Sequence, residues 1–137
     1  MSYAGDVTPA EAWEALSDDP AAVLVDVRTS AEWSYVGLPD LRTLGKDVVL
    51  VEWQTYPTGA VNADFVAELS AAGVDEQAPV YFLCRSGVRS VAAAEAATAA
   101  GWSRSHNVSE GFEGPHNGEQ HRTVSGWKVA GLPWVQG

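Results

Sequence analysis

The sequence predicts an α/β fold with helices on both faces of a parallel sheet, and three observations carry that prediction. Short apolar runs recur at residues 23–27, 48–51 and 79–83, and such runs fit strands buried on both faces. Segments with helix-start and helix-stop chemistry fall between them, and strands alternating with helices imply βαβ units. At 137 residues the chain has the length of one domain and buries roughly two-thirds of its unfolded surface, enough for one core.

The elements follow in order. Thr8-Pro9-Ala10-Glu11 is a capping box with proline at the first helical position. Ala12, Trp13 and Leu16 follow, and Asp18-Asp19-Pro20 ends that helix. Val23-Leu24-Val25-Asp26-Val27 is the first strand. A short helix is expected from Ser30, with Glu32 and Trp33 in its first turn. Residues 37–45 read as loop, 48–51 as a second strand, and Tyr56-Pro57-Thr58-Gly59 as a turn. Asn62 caps a longer helix that carries Phe65, Val66 and Leu69 and closes at Gly73. Residues 79–83 form the third strand. A seven-residue polar loop then leads to an alanine-dense helix over 91–100, closed by Gly101. Residues 102–108 form the last strand, and 109–126, rich in Gly, His and Glu, read as loop. The tail holds Trp127 and the turn Gly131-Leu132-Pro133. No repeat and no linker divides the chain.

Composition excludes several classes of function. Eight Lys and Arg against eighteen Asp and Glu give a net charge of −10, which argues against nucleic acid and against an anionic membrane as partners. One cysteine allows neither an intramolecular disulfide nor a four-cysteine zinc site. No run approaches the roughly 20 apolar residues of a membrane span. The start, Met1-Ser2-Tyr3-Ala4-Gly5-Asp6, has neither a basic nor an apolar leader region, so a cytoplasmic location is expected. His116 and His121, with Glu119 between them, match no recognised ligand spacing; no metal and no cofactor is expected.

The chemistry concentrates in Cys84-Arg85-Ser86-Gly87-Val88-Arg89-Ser90, between an apolar strand and an alanine-rich helix. In open α/β sheets ligands bind at the carboxyl ends of strands. The helix that follows directs its unsatisfied N–H groups and the positive end of its dipole at the loop, which favours an anion there. Gly87 permits the tight turn of a cradle. A cysteine alone at a strand end is usually buried and inert. Flanking cations and a helix N-terminus instead favour the nucleophilic thiolate, so Cys84 is the candidate nucleophile and residues 85–90 the candidate anion-binding loop.

This loop resembles the active-site loop of the rhodanese family, the thiosulfate and persulfide sulfurtransferases. Three other stretches are similar to the family pattern: Asp26-Val27-Arg28 followed by Glu32-Trp33, Gly101-Trp102 with Asn107-Val108, and Trp127 with Gly131-Leu132-Pro133. The resemblance covers residues 8–133, leaving 1–7 and 134–137 as terminal tails. It implies a single rhodanese-like domain with a mostly parallel sheet of about five strands and helices on both faces. It further implies that Cys84 carries a persulfide held by the backbone amides of Arg85, Ser86, Gly87, Val88, Arg89 and Ser90. Arg85 and Arg89 would help bind a small anionic sulfur donor such as thiosulfate. The acceptor would be a thiol, cyanide or a partner protein.

Two other chemistries use a similar cysteine. Phosphatases of the dual-specificity cell-cycle type, and arsenate reductases, are the second enzymatic reading. Those phosphatases place five residues between Cys and Arg, whereas four separate Cys84 from Arg89, a smaller cradle that suits a terminal sulfur. A persulfide carrier that hands sulfur to a partner without turnover needs the same residues.

The chain departs from the family pattern in two places. Gly37-Leu38-Pro39-Asp40-Leu41 stands where the family has Gly-His-Ile-Pro-Gly-Ala, which sets the path of residues 37–46 apart. An insertion over 115–125, containing His116, His121 and Arg122, has two readings: a loop near the site that shapes acceptor choice, or a solvated surface loop. Asp26 and Arg28 are expected to be structural, with Asp26 capping nearby backbone and Arg28 paired with Glu32. Trp33 and Trp53 are expected in the core, and Trp127 and Trp134 over its edge.

Overall fold

The computed structural model describes residues 3–35, 37–54, 60–85, 88–109, 111–112, 127 and 132–135. Helix α1 (Pro9–Asp18) starts as its sequence dictates. The Glu11 amide donates to the Thr8 hydroxyl at 3.1 Å, and the Thr8 amide donates to the Glu11 carboxylate at 2.8 Å. These bonds satisfy two groups that a helix start leaves open. Pro9, Ala12 and Leu16 form its buried side.

The main sheet contains β1 (Gly5–Val7), β2 (Val23–Asp26), β4 (Val49–Leu50), β5 (Val80–Leu83) and β6 (Ser105–Val108). Its order is β1-β6-β5-β2-β4, and every pairing is parallel. This is the α/β architecture expected, with five strands. Successive side chains on a strand point to opposite faces, and the two cores divide accordingly. Val25, Val80, Phe82 and Cys84 face one core, together with Phe65 and Leu69 of α3 (Phe65–Ala71) and Ala93, Ala94 and Ala97 of α4 (Val88–Ala99). Leu24, Tyr81 and Leu83 face the other, with Ala12 and Leu16 of α1, Leu41, Phe112 and Trp127. Each fully buried Leu, Val or Phe contributes about 1.5–3 kcal/mol. The alanines of α4 let that helix lie close against β5 and β6.

Several boundaries differ from the sequence reading. Helix α4 begins at Val88, three residues before the alanine-dense run. The stretch read as loop after residue 37 contains β3 (Leu38–Pro39) and a 3-10 turn, Arg42–Leu44. Strand β3 pairs antiparallel with β7 (Trp134–Val135) in a small second sheet. Both β1 and β7 lie in stretches read from the sequence as tails. Gly37 is required beside β7: its φ is +112°, and a Cβ there would lie 2.7 Å from the Val135 carbonyl oxygen. Helix α2 (Ser30–Tyr35) forms where Ser30 predicts it. The turn expected at 56–59 and the insertion over 115–125 lie outside the described residues. None of the described helices is long and apolar enough to cross a membrane.

Candidate functional site

Cys84 directly follows the last residue of β5, at the carboxyl end of the sheet, and its side chain is 1% exposed. Helix α4 begins four residues later, so its first turn stands over the strand end. The Cys84 carbonyl accepts a hydrogen bond from the Phe112 amide at 2.8 Å. That contact depends on Gly111, whose φ is +67°. A Cβ at Gly111 would lie 2.6 Å from the Arg85 carbonyl group and 2.7 Å from the Cys84 carbonyl oxygen. Only glycine allows the turn after β6 to press this close on the start of the loop. Trp127 holds the turn from behind: it is fully buried and donates its amide to the Gly111 carbonyl at 2.9 Å. Its indole N–H donates to the Pro133 carbonyl at 2.7 Å, and its ring meets Trp13 edge-on at 5.8 Å.

The charged groups near the sulfur are arranged in pairs. Arg89 binds Glu32 through both guanidinium arms, at 2.7 and 2.9 Å. The Thr29 amide donates to the same carboxylate at 3.1 Å. Burial would raise Glu32, yet the Arg89 and Thr29 hydrogen bonds and the Arg89 and Arg28 charges hold it below the ordinary value. The Glu32 hydrogen bond in turn raises Arg89, against the pull of burial, and the nearby Cys84 and Asp26 add to that rise. Arg28, fully buried, pairs with the fully buried Asp26 at 2.6 Å. It also donates to the Gly37 carbonyl at 2.7 Å, and its guanidinium carbon lies 4.3 Å from the centre of the Phe112 ring. The expected Arg28–Glu32 pair is therefore corrected. Asp26, two residues from Arg28, takes both its guanidinium and its backbone amide, which leaves Glu32 to Arg89.

Among the expected loop residues, Arg85 is exposed, and Arg89 and Ser90 lie in the first turn of α4. Val88 opens that helix, while Ser86 and Gly87 lie outside the described residues. His116, His121 and Arg122 also fall outside them. Among the described residues no group of three or more His, Cys, Asp or Glu is placed to hold a metal.

Two contributions escaped the sequence reading. Ser90 Oγ lies 3.2 Å from Cys84 Sγ and 2.5 Å from Asn107 Oδ1, and Asn107 Nδ2 donates to Asp6 at 2.9 Å. A signal was present: asparagine is a poor strand former, and this one sits within the last strand. Gly111 fell within the stretch read as loop, but nothing local placed it on the Cys84 carbonyl.

The family model described as the STR4 middle domain matches residues 4–137. An uncharacterized protein of Rickettsia conorii, RC0915, is 38% identical over 130 residues, which are 94% of this chain and 95% of that one. The chloroplastic rhodanese-like domain-containing protein 4 of Arabidopsis thaliana is 29% identical over 126 residues. Those residues are 91% of this chain but only 24% of that protein. The crystal structure of Rv0390 from M. tuberculosis superposes with a TM-score of 0.91 at 55% identity, covering 99% of this chain and 100% of that one. The solution structure of a polysulfide-sulfur transferase homodimer from Wolinella succinogenes shares the fold. Its TM-score is 0.66 at 20% identity, over 96% of this chain and 78% of that one.

Proposed function

The chain belongs to the STR4 middle-domain family, and from that premise we propose that it is a sulfurtransferase of the rhodanese type, working through a persulfide on Cys84. The observation that carries the reading is the position of Cys84, at the end of β5 and under the first turn of α4. There a helix N-terminus favours negative charge on sulfur. The rhodanese-like relatives support sulfur transfer as the class of reaction.

The cycle has two displacements. The Cys84 thiol first releases its proton to solvent. The thiolate attacks the outer sulfur of thiosulfate, forming a new S–S bond as the old one breaks, and sulfite departs with the bonding pair. The resulting Cys84 persulfide is anionic at its terminal sulfur, and the amides of residues 85–90 are the donors to hold it. An acceptor thiolate or cyanide then attacks that terminal sulfur, takes it, and returns Cys84 to the thiolate. Arg85 and Arg89 supply the positive charge that an anionic donor meets. Arg89 does so while its fork stays on Glu32, which fixes its direction. A reducing, cytoplasmic setting would keep thiol acceptors available.

The experiment is intact mass spectrometry after incubation with thiosulfate, and separately with polysulfide, on the wild type and on Cys84→Ser. The expected result is a gain of one sulfur, removed by reductant and absent from the variant. No gain from either donor, or a gain that survives Cys84→Ser, overturns the reading.

A further inference from the structure

A line of polar side chains runs from the sulfur to the edge of the sheet. It passes from Cys84 Sγ to Ser90 Oγ and on to Asn107 Oδ1. From Asn107 Nδ2 it reaches Asp6 Oδ1, which also accepts from the Tyr3 hydroxyl at 2.8 Å. Ser90 and Asn107 are 0% and 2% exposed, while Asp6 is exposed on the edge strand β1. The register places Asp6 opposite Asn107. Polar groups this deep must be satisfied, and their donors and acceptors determine the direction of the line.

That direction is set from its outer end. The ionised Asp6 carboxylate only accepts, so the amide nitrogen of Asn107 faces it and the amide oxygen faces Ser90. That oxygen also only accepts, so the single hydroxyl proton of Ser90 points to Asn107. Ser90 then presents lone pairs to Cys84 Sγ, an arrangement that matches a sulfur bearing a proton and opposes one bearing charge.

We propose that Ser90, Asn107 and Asp6 are positioning residues that hold Cys84 as a thiol, and that Asp6 governs its release as the nucleophile. This deepens, and rests on, the reading of Cys84 as a sulfur nucleophile. Reversing the line takes three movements. Ser90 turns its proton to sulfur, the Asn107 amide rotates by half a turn, and Asp6 takes up a proton so that it can face the amide oxygen. One proton leaves Cys84 to solvent and one enters at Asp6 from solvent, so the exchange moves negative charge from the sheet edge to the sulfur.

Other charges face each end. Arg89 of α4 interacts with the sulfur and is paired with Glu32 of α2; Asp26 at the end of β2 and Arg28 two residues on act on that pair, and Arg85 follows on the loop itself. At the outer end Asp6 accepts from Tyr3, which also feels the charge of Glu95 on α4. The Asp6 hydrogen bond, burial and these charges raise the Tyr3 hydroxyl, so Tyr3 remains a donor to Asp6.

The test is Asp6→Asn. An asparagine can donate to the Asn107 oxygen without taking up a proton, so the reversed line becomes available at any pH. With a single cysteine in the chain, labelling the cysteine β-carbon gives one NMR resonance that follows the proton on sulfur and needs no sulfur donor. The midpoint of its pH titration is expected to fall by about one unit, about tenfold more thiolate at a given pH below it. In a Ser90→Ala background, where the line is cut, Asp6→Asn should move the midpoint no further. A titration unchanged by Asp6→Asn overturns the proposal. So does an equal shift in the Ser90→Ala background, which would mean that Asp6 acts through its charge alone. Both readings hold whether or not the protein transfers sulfur.

Discussion

Glu32 is where sequence and site chemistry meet most directly. Its carboxylate fixes Arg89 beside the sulfur, and its value is lowered from 4.5. A lowered folded value means that the unfolded chain binds the proton first as pH falls. The stabilisation is therefore fully present above the ordinary glutamate value and is lost as pH drops through the lower, folded value. Glu32→Gln should remove that part of the acid sensitivity and cost on the order of 1–2 kcal/mol at neutral pH. Urea denaturation of both proteins across the acid range measures it. The residue types at this site were legible: Cys84, Arg89, Glu32, Asp26 and Arg28 all stand in recognisable motifs. Their partners were not. Arg28 and Glu32 lie one helical turn apart and looked like a pair. The separation that decides the pairing is the one between Arg89 and Glu32, 57 positions apart in sequence, and no local pattern contains it.

At the scale of elements, the site depends on β5 and β6 being tied together beyond their ends. The tie is the Phe112 amide on the Cys84 carbonyl, and it exists because Gly111 lets two backbones meet. Gly111→Ala forces a positive φ on a residue with a Cβ and drives that carbon into the Arg85 peptide. It should destabilise the fold by about 2–4 kcal/mol, and the folded fraction should take up sulfur more slowly. Thermal unfolding and the mass of the thiosulfate-treated protein report the two effects separately. Helix α1 was legible because its start carries chemistry: the Thr8 box appears bond for bond. Asn62, expected to cap α3, lies two residues before the actual N-cap, Asp64, whose side chain makes no capping bond. The sheet's core strands were legible from runs of buried residues. Strands β1, β3 and β7 were not, being two or three residues long, with partners at the far end of the chain. Short edge pairings leave almost no pattern.

For the whole molecule, the net charge of −10 frames how an anionic donor arrives. Several of the described cations are already engaged by carboxylates or carbonyls. Arg28 and Arg89 are paired, Arg42 binds Asp40, and Lys46 donates to the Asp19 and Ala22 carbonyls at 2.7 and 2.6 Å. The field beyond the surface is thus dominated by carboxylates and opposes thiosulfate at a distance. Salt screens that field over about 10 Å at 0.1 M. The second-order rate of sulfur uptake from thiosulfate should rise with moderate ionic strength, and stopped-flow loading across a salt series measures it. A neutral donor should show no such rise.

The pairing of β1 with β6 also bears on the order of folding. Asp6 and Asn107 are 101 positions apart, so the first strand of the chain must wait for nearly all the rest before it has anything to join. Long-range parallel contacts of this kind form slowly because chain closure costs entropy before the contact returns any. The central strands and α4 can assemble around Cys84 first, bringing Ser90 and Asn107 together without Asp6. During refolding the sulfur therefore passes through an interval in which its environment lacks the outermost member, and the edge strand completes the site as it closes the sheet.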